Sequence, residues 1–469
     1  MSSLVRVERF SKTLKGEYGL RFDPLHILNY EGYTTLLNEL KREGVCIVKF
    51  SDILKGRIEN ITGKTATILI RSLWKASIHP LKIQLRESGR RLKCDEQDVV
   101  FVATGLGSIG KVSIVPHYIT KIVNVPIATT PDLFILHPHS DRLNIPYYIT
   151  ALANTRFGRI MINMLTYGST GQLHLDTRWL EKVKIPIVDS WRHIASVMRN
   201  AIEYYEAKAW SAYFRAMKVI EEYLNMPPIE HTGFSTLKDF VFFGRLDPKF
   251  FIHINVLKRL PSVKIVPAKK LFDVKLGTAP RSRRYKIEKG EAYISYDAID
   301  ESGIIDEDLF YRLPKPPKRT TRASKYSVLI TSVAHGIEGI GKVGIVFPHS
   351  NILCMAGLAV FNPSQHKIGK ICHEIACIEG RSLREIMLYT FAALKSRLMK
   401  RIMQSLTYGL TAQISKKDLE NLPIPIIENI LNSEVPAQIE DFLKNMIEAD
   451  KLKKQAIKAL ESDIFKSAA

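Results

Sequence analysis

The sequence predicts an α+β protein built from two tandem, related units and two long helices. Three observations support this fold class: an internal repeat of roughly 230 residues, short β-branched runs bounded by turn residues, and two long segments with helical apolar spacing. The chain has 469 residues, of which 46% are hydrophobic, so it can bury several cores. We therefore expect two repeated α/β domains separated by two long antiparallel coiled-coil helices.

The repeat consists of short motifs that recur in the same order. The first copy contains Arg21-Phe22-Asp23-Pro24, Ile109-Gly110-Lys111-Val112, Leu165-Thr166-Tyr167-Gly168-Ser169-Thr170-Gly171-Gln172 and Ile185-Pro186-Ile187. The second copy contains Arg245-Leu246-Asp247-Pro248, Ile340-Gly341-Lys342-Val343, Leu406-Thr407-Tyr408-Gly409-Leu410-Thr411-Ala412-Gln413 and Ile424-Pro425-Ile426. Because the offset between matching motifs drifts slowly, the two copies differ by small loop insertions within one duplicated design.

Two segments have the spacing of long helices. From Trp191 to Met226 there is neither Pro nor Gly, and apolar residues follow steps of three and four with one stutter. The segment from Val435 to Ile464 repeats the pattern. A rod of roughly 54 Å is too long to be buried in a small domain, so we expect the two helices to pack antiparallel. The predicted boundaries are a first domain over 1–188, a spacer helix over 189–226, a second domain over 227–430 and a second spacer helix over 431–469.

Within each copy the local pattern is mixed. Asp23-Pro24 and Asp247-Pro248 have the residue types of a helix N-cap followed by Pro in the first turn. Apolar, β-branched runs bounded by turn residues predict strands at Ala66–Ile70, Val99–Ala103, Val112–Val115, Ser327–Thr331 and Val343–Phe347. Each domain is therefore expected to combine helices and strands.

Charge and composition restrict the class of protein. Sixty-eight Lys and Arg against 47 Asp and Glu give a net charge of +21, which favours a polyanionic partner over a small metabolite. No run approaches the roughly eighteen apolar residues of a membrane span, and Met1 to Lys12 lacks a signal-peptide core. The five cysteines never have Cys-x-x-Cys spacing, which is typical of a reducing compartment. A cytoplasmic protein that binds nucleic acid, with no membrane partner, is expected.

The positive charges form clusters in both halves. They surround Trp74 in the first half and lie in a Pro-rich stretch of the second. Because such residues neutralise phosphates and read base edges, we expect contacts to double-stranded DNA. Polar residues of the repeated turn and loop motifs join them as candidates. The candidate DNA-binding residues are Arg71, Lys75, Lys82, Arg86, Arg90, Arg91, Lys93, Lys111, Thr170, Gln172, Arg281, Arg283, Arg284, Lys286, Lys315, Lys318, Arg319, Arg322, Lys325, Lys342 and Gln413.

A glycine-rich loop leaves an enzymatic alternative open. Gly105 to Lys111 and Gly336 to Lys342 both fit the phosphate-binding pattern G-x-x-x-x-G-K. However, Val112 and Val343 occupy the position of the Ser or Thr that binds magnesium, and a strand rather than a helix is predicted to follow. The alternative function is an ATP-dependent nucleic-acid enzyme, or a fused methyltransferase, that uses the loop from Gly105 to Lys111.

No catalytic group and no metal site are expected in this chain. Cys372, His373 and Cys377 could supply three ligands, but a fourth is absent nearby and the first half has no counterpart. His117, His137, His139 and His349 lie in Pro-flanked loops without a carboxylate partner that the sequence identifies, and a structural role is expected for them.

The order and duplication of these motifs resemble the DNA-specificity subunits of type I restriction-modification systems. The resemblance covers almost the whole chain and implies two target recognition domains, each of which reads one half of a bipartite DNA site. It implies that two methyltransferase subunits dock on the spacer helices and that an ATP-dependent restriction subunit joins the complex. S-adenosylmethionine, ATP and Mg would then bind to those partners, with no cofactor in this chain. The second copy departs from the motif at Leu410 and Ala412, so the two loops need not act equally.

Overall fold

Helices and strands alternate along the chain in the computed structural model, which describes residues 24–57, 59–87, 89–105, 108–139, 144–168, 173–180, 182–224, 248–260, 263–278, 290–313, 320–372, 378, 380–409 and 412–466. The chain divides into two units: the first comprises residues 1–208 and 445–469, and the second comprises residues 209–444. The mixed fold class is confirmed. Within the described residues, no helix has both the length and the apolar character needed to cross a membrane.

The strands of the first unit form two main sheets and three small pairs. They are β1 (Cys46–Lys49), β2 (Leu54–Gly56), β3 (Asn60–Ile61), β4 (Thr65–Ile68), β5 (Leu73–Trp74), β6 (Ser77–Ile78), β7 (Gln84–Arg86), β8 (Arg91–Cys94), β9 (Val99–Val102), β10 (Val112–Ile114), β11 (Ile127–Thr129), β12 (Leu133–Pro138), β13 (Thr166–Tyr167), β14 (His174–Leu175) and β15 (Lys184–Ile187). The main sheets have the orders β10-β9-β12-β2 and β3-β8-β11-β4-β7. The Val-Val-Phe-Val sequence of β9 is fully buried, because this strand lies inside its sheet.

The helices of the first unit surround these sheets and lead into the first long helix. They are α1 (Pro24–Arg42), α2 (His117–Val123), α3 (Ile145–Ala153), α4 (Arg156–Leu165), α5 (Thr177–Leu180) and α6 (Trp191–Arg199). After α6 the helix continues as a π-helical segment (Asn200–Glu206) and then as α7 (Ala207–Tyr223), most of which belongs to the second unit.

The second unit has the same kinds of elements. Its helices are α8 (Pro248–Arg259), α9 (Ala268–Leu271), α10 (Gln365–Cys372), α11 (Leu383–Leu394), α12 (Arg397–Ser405), α13 (Lys416–Glu420), α14 (Glu428–Leu431) and the start of α15 (Val435–Lys466). Its strands are β16 (Val263–Pro267), β17 (Phe272–Leu276), β18 (Glu291–Ile294), β19 (Tyr311–Leu313), β20 (Arg322–Ala323), β21 (Val328–Thr331), β22 (Val333–Ala334), β23 (Val343–Ile345), β24 (Ile352–Cys354), β25 (Leu358–Pro363), β26 (Ala412–Gln413) and β27 (Pro423–Ile427).

The two units share one topology, which supports the predicted duplication. The sheets β17-β25-β21-β23 and β19-β18-β24-β20 repeat the first unit's sheets strand for strand, except for β3. In each unit one parallel pair, β11 with β4 or β24 with β18, lies between antiparallel neighbours. All five predicted strands and both helices that begin at Pro24 and Pro248 are observed.

Individual hydrogen bonds also recur at equivalent positions in the two units. The Tyr148 hydroxyl donates to the Pro186 carbonyl at 2.7 Å, and Tyr389 donates to Pro425 at 2.7 Å. At the N-termini of α4 and α12, the Arg156 N–H donates to Glu461 at 2.6 Å and the Arg397 N–H donates to Glu221 at 2.8 Å. Each carboxylate comes from a long-helix segment of the same unit and satisfies a backbone N–H that has no partner within the helix.

The apolar residues that recur every three or four positions in the two long segments predict a buried face, which includes Tyr223 in the first segment and Val435 in the second. Residues Val435, Ile439, Phe442 and Met446 of α15 are buried, as predicted. In the first long helix Tyr223 is 41% exposed and Ile220 is buried instead. Ala209, Ala212 and Ala216, which follow the π-helical segment, are buried as their spacing predicts, so the prediction is wrong at Tyr223, close to the end of the helix. Within the first unit, Ser190 contacts Asp463 and Glu206 contacts Lys453, so the two segments there run antiparallel.

Candidate nucleic-acid interface

Three cations of the first cluster lie on the surface of the first unit around the five-stranded sheet. Arg86 ends the edge strand β7, Arg90 precedes β8, and Arg71 lies in the 3₁₀ turn Ile70–Ser72 that follows β4. All three side chains are exposed, and none of them has an acidic partner within the described part of the chain. They are therefore available to a polyanion at little cost in broken ion pairs.

Other members of this cluster already have partners. Lys93 binds Glu59 at 3.2 Å, and Arg91 donates to the Thr65 hydroxyl at 3.2 Å. Hydrogen bonds from Arg57 and then from Lys93 lower the pKa of Glu59. Lys82 is half-buried in the turn Pro80–Lys82. DNA binding through these residues would have to compete with contacts inside the unit.

Lys75 has a structural environment that the sequence did not indicate. Its ammonium binds Asp450 of α15 at 3.2 Å and lies 5.5 Å from the ring centre of Trp74. Burial raises the pKa of Asp450, but Lys75 and Lys454 outweigh that effect and lower it. Lys75 thus connects the loop between β5 and β6 to the terminal helix of the same unit.

The second unit places a cation at the position equivalent to Lys93. Arg322 lies opposite Leu353 of β24, as Lys93 lies opposite Ala128 of β11, and it binds Glu291 at 2.6 Å. Lys325 is exposed and lies 5.3 Å from the Tyr326 ring centre. The candidates Thr170, Gln172, Arg281, Arg283, Arg284, Lys286, Lys315, Lys318 and Arg319 lie outside the described residues.

The described parts of the glycine-rich loops form turns that lead into strands. Gly110 and Gly341 have φ of +79° and +75°, and a Cβ at Gly110 would lie 2.5 Å from the Ile162 Cγ2. Strands β10 and β23 follow these turns where a phosphate-binding loop requires a helix. The ATP-binding alternative is therefore not favoured. Lys111 is exposed at its turn, whereas Lys342 binds Glu301 at 3.5 Å.

In both units the Thr-Tyr-Gly motif forms a hairpin beside the strand that leads to this turn. In the first unit the Leu175 N–H donates to the Ala103 carbonyl at 2.7 Å, and in the second unit the Ile414 N–H donates to the Ser332 carbonyl at 2.9 Å. The fold thus brings together two motifs that are far apart in sequence.

The hairpins correct the alignment of the two copies. Tyr167 pairs with His174, whereas Tyr408 pairs with Gln413, so the second hairpin loop is two residues shorter. Gln413 is therefore equivalent to His174, and matching it to Gln172 was wrong. A loop deletion is invisible when only the identities of a short motif are compared. With Gln413 matched to His174, Arg178 and Lys417 occupy equivalent positions after the two hairpins. Both are exposed cations that the sequence analysis did not identify.

Three of the Pro-flanked histidines have carboxylate partners that the sequence did not identify. His117 contacts Glu96 at 2.7 Å, His349 contacts Glu307 at 2.6 Å, and His137 contacts Asp98 at 2.6 Å. His117 and His349 line cavities of 840 Å³ and 760 Å³ in their respective units. The carboxylates come from strand-connecting segments, so these contacts stabilise the sheets' connections.

The groups that enzymatic chemistry would use have other environments. Burial raises the pKa of the Cys94 thiol, which disfavours the reactive thiolate. Across the described ranges, no three His, Cys, Asp or Glu side chains are arranged to hold a metal ion. His373 and Cys377 lie outside those ranges.

Comparisons with known proteins find similar chains among solved structures alone. No protein-family model matches the chain, and no curated protein matches it. Among solved structures it is similar to the type I restriction-modification S subunit from M. genitalium, with 12% identity and a TM-score of 0.38 over 90% of this chain and 95% of that one. It is also similar to the HsdS subunit from Thermoanaerobacter tengcongensis, with 14% identity and a TM-score of 0.27 over 90% and 96%. A chain from a structure of type I R-M complex assembly and conformational transition has 15% identity and a TM-score of 0.28 over 90% and 97%. Two of these three similar chains are S (HsdS) subunits of type I restriction-modification systems, and the third comes from a structure of such a system.

Proposed function

We propose that this chain is the non-catalytic, sequence-specific DNA-binding subunit of a type I restriction-modification complex. Each unit would read one half of a bipartite target in double-stranded DNA. The observation that carries the proposal is the duplication of one topology, in which each copy presents a hairpin, a Gly-Lys turn and exposed cations at equivalent places. Two similar readers in one chain suit a target of two half-sites.

The charges of the described surface support a polyanionic ligand. The net charge is +21, and Arg71, Arg86, Arg90 and Lys111 are exposed on the first unit. Cations of this kind release counterions from phosphates and so provide affinity without sequence preference. Sequence reading would come from side chains of the hairpins and loops, which touch base edges.

The long helices would supply the docking surface for partner subunits. Lys208, Lys218 and Glu222 leave a charged, solvent-facing side on the first long helix, opposite its buried face. Two adenine methyltransferase subunits with S-adenosylmethionine would bind there, and an ATP- and Mg-dependent restriction subunit would join them in the cytoplasm. The chemistry of the complex would then belong entirely to those partners.

Mapping of methylated adenines tests this function. The chain is expressed with its methyltransferase subunits, and modified positions are compared with those in cells that lack the chain. We expect methylation at one bipartite sequence that disappears without the chain. Methylation that is independent of the chain, or ATP hydrolysis by the purified chain alone, would contradict the proposal.

A further inference from the structure

Two exposed tyrosines occupy equivalent positions in the two hairpins. Tyr167 is 42% exposed and Tyr408 is 52% exposed. Each follows the C-terminus of a helix, α4 or α12, and pairs with a residue across its hairpin. Single exposed apolar groups are common on protein surfaces, but this one recurs in both copies of the fold.

Neither tyrosine is a buried core residue. Tyr147, Tyr148 and Tyr389 are fully buried and each donates its hydroxyl to a named acceptor inside its unit. The two hairpin tyrosines are partly exposed: the Tyr167 ring lies 5.6 Å from the His174 ring, and the Tyr408 N–H donates to the Gln413 carbonyl at 2.9 Å. The hairpin therefore holds a large ring at a defined place on the surface.

Cations accompany the tyrosine in both units. Arg178, whose side chain is 84% exposed, follows the first hairpin, and the exposed Lys417 follows the second. The pKa of Arg178 is raised mainly by its hydrogen bonds to Asp176, with a smaller effect of the nearby Tyr167. In the first unit the ring thus lies near a cation, a common arrangement for contact with the sugars, bases and phosphates of nucleic acid.

The second unit adds an aliphatic side chain to this surface. Ile337, in its Gly-Lys turn, is 52% exposed, and its carbonyl accepts a 3.2 Å hydrogen bond from the Gln404 side chain of α12. Since Tyr408 follows α12, the turn and the hairpin are tied to the same helix end. Apolar side chains of this type can pack against base edges or between base steps.

We propose that Tyr167 and Tyr408 are DNA-contacting residues that help to determine specificity, one for each half-site. The ring of each tyrosine packs against sugar and base edges, while Arg178 or Lys417 neutralises a neighbouring phosphate. This inference rests on the proposed function, and it adds residues that charge alone did not identify.

Selection from a random duplex DNA library tests the inference with the full chain. Wild type is compared with Tyr167→Ala, Tyr408→Ala, the corresponding Tyr→Phe variants and the control Tyr204→Ala, whose ring is 56% exposed on a long helix. We expect each hairpin Ala variant to lose about tenfold in affinity, equivalent to about 1.4 kcal/mol, and to lose base preference in one half-site only. The Phe variants and Tyr204→Ala should select the wild-type sequence.

The outcomes separate the two proposals. If wild type enriches no sequence, the proposed function fails. If wild type enriches a bipartite sequence and both hairpin Ala variants enrich it equally well, the role of the tyrosines is overturned.

Nitration of the wild-type chain by tetranitromethane, read by mass spectrometry, gives a second test that does not depend on the folding of a variant. The selected duplex should protect Tyr167 and Tyr408 and leave Tyr204 reactive. Equal nitration of all three with and without DNA would also overturn the inference.

Discussion

The two units attach their long-helix segments by different chemistry at equivalent places. In the first unit Lys453 of α15 binds Glu206, and both side chains are at least 97% buried. In the second unit Tyr213 takes the place of Lys453 and packs against Trp210 and Phe442, with ring centres 5.7 Å and 4.9 Å apart. One duplicated fold thus uses a buried ion pair in one copy and an aromatic cluster in the other.

Further hydrogen bonds complete the ion pair of the first unit. Ser77 donates to Glu206 at 3.0 Å, Tyr118 donates to it at 3.0 Å, and Lys453 donates to the Lys75 carbonyl at 2.7 Å. These partners come from the sheet, from α2 and from both long helices, so the network defines how these segments meet within the unit. A buried ion pair is weak support for stability but can specify a register. The aromatic cluster has no such directional requirement.

Removal of one charge from this pair should have the largest effect. Glu206→Ala leaves the Lys453 ammonium buried without its carboxylate, and we expect a loss of about 3–5 kcal/mol in the free energy of unfolding. Lys453→Ala should cost a similar amount. The double variant Glu206→Gln with Lys453→Met should recover most of it, because no charge remains buried. Denaturant unfolding measures wild type and the three variants, and a double variant that loses as much stability as the two Ala variants together would argue against the pair.

The aromatic cluster of the second unit should tolerate a change of shape better. Phe442→Leu keeps an apolar group of similar size, and we expect a loss of less than about 1.5 kcal/mol. Phe442→Ala opens a cavity beside Trp210 and Tyr213 and should cost about 3 kcal/mol or more. Unfolding midpoints in urea compare the two. If Phe442→Leu were as costly as Glu206→Ala, the contrast between the two chemistries would not hold.

The helix N-termini should respond similarly in both units, because a carboxylate accepts from the first backbone N–H in each, with a slightly larger loss for Glu221, which also accepts from the Arg397 Nε at 3.1 Å. Glu461→Ala and Glu221→Ala each remove a carboxylate from the first turn of α4 or α12. A carboxylate near a helix N-terminus contributes up to about 1 kcal/mol at an exposed site, and we expect losses of that order. Glu461→Gln and Glu221→Gln are matched controls that keep an acceptor. Losses that differ strongly between the two units would show that the cap, too, has diverged.

The elements of the fold could be predicted to the extent that their signals are local. Val99–Val102 and Val343–Ile345 are short apolar runs beside turns, and the start of the helix at Pro24 depends on adjacent residues. The Glu206–Lys453 pair could not be predicted, because its partners are 247 residues apart and both look like surface residues of a helix. The spacing of apolar residues likewise predicted neither the π-helical segment (Asn200–Glu206) nor the exposure of Tyr223.

The sequence predicted which residues of the candidate interface carry positive charge, but it did not predict which of them have acidic partners. The composition identified Arg71, Arg90 and Lys93 alike, because sequence spacing does not show which cation has a carboxylate nearby. Only folding brings Glu59 beside Lys93 and Glu291 beside Arg322. Tyr167 and Tyr408 stood inside the motif that revealed the repeat, but their exposure depends on the hairpin. The two tyrosines could be recognised as equivalent surface residues only once their pairing with His174 and Gln413 was known.

Salt titration of DNA binding can separate the cations without acidic partners from those that form ion pairs. We expect smaller effects here than in the unfolding experiments. Each phosphate that the protein neutralises adds about 0.9 to the steepness of log affinity against log salt. Arg71→Ala combined with Arg90→Ala should therefore flatten the slope by about 1.8, since both side chains are exposed and lack acidic partners in the described chain. Lys93→Ala should change it less, because Lys93 already binds Glu59 at 3.2 Å. An equal effect of Lys93→Ala per residue would mean that its ion pair opens on DNA and that charge, not its partner in the free chain, decides which residues contact phosphate.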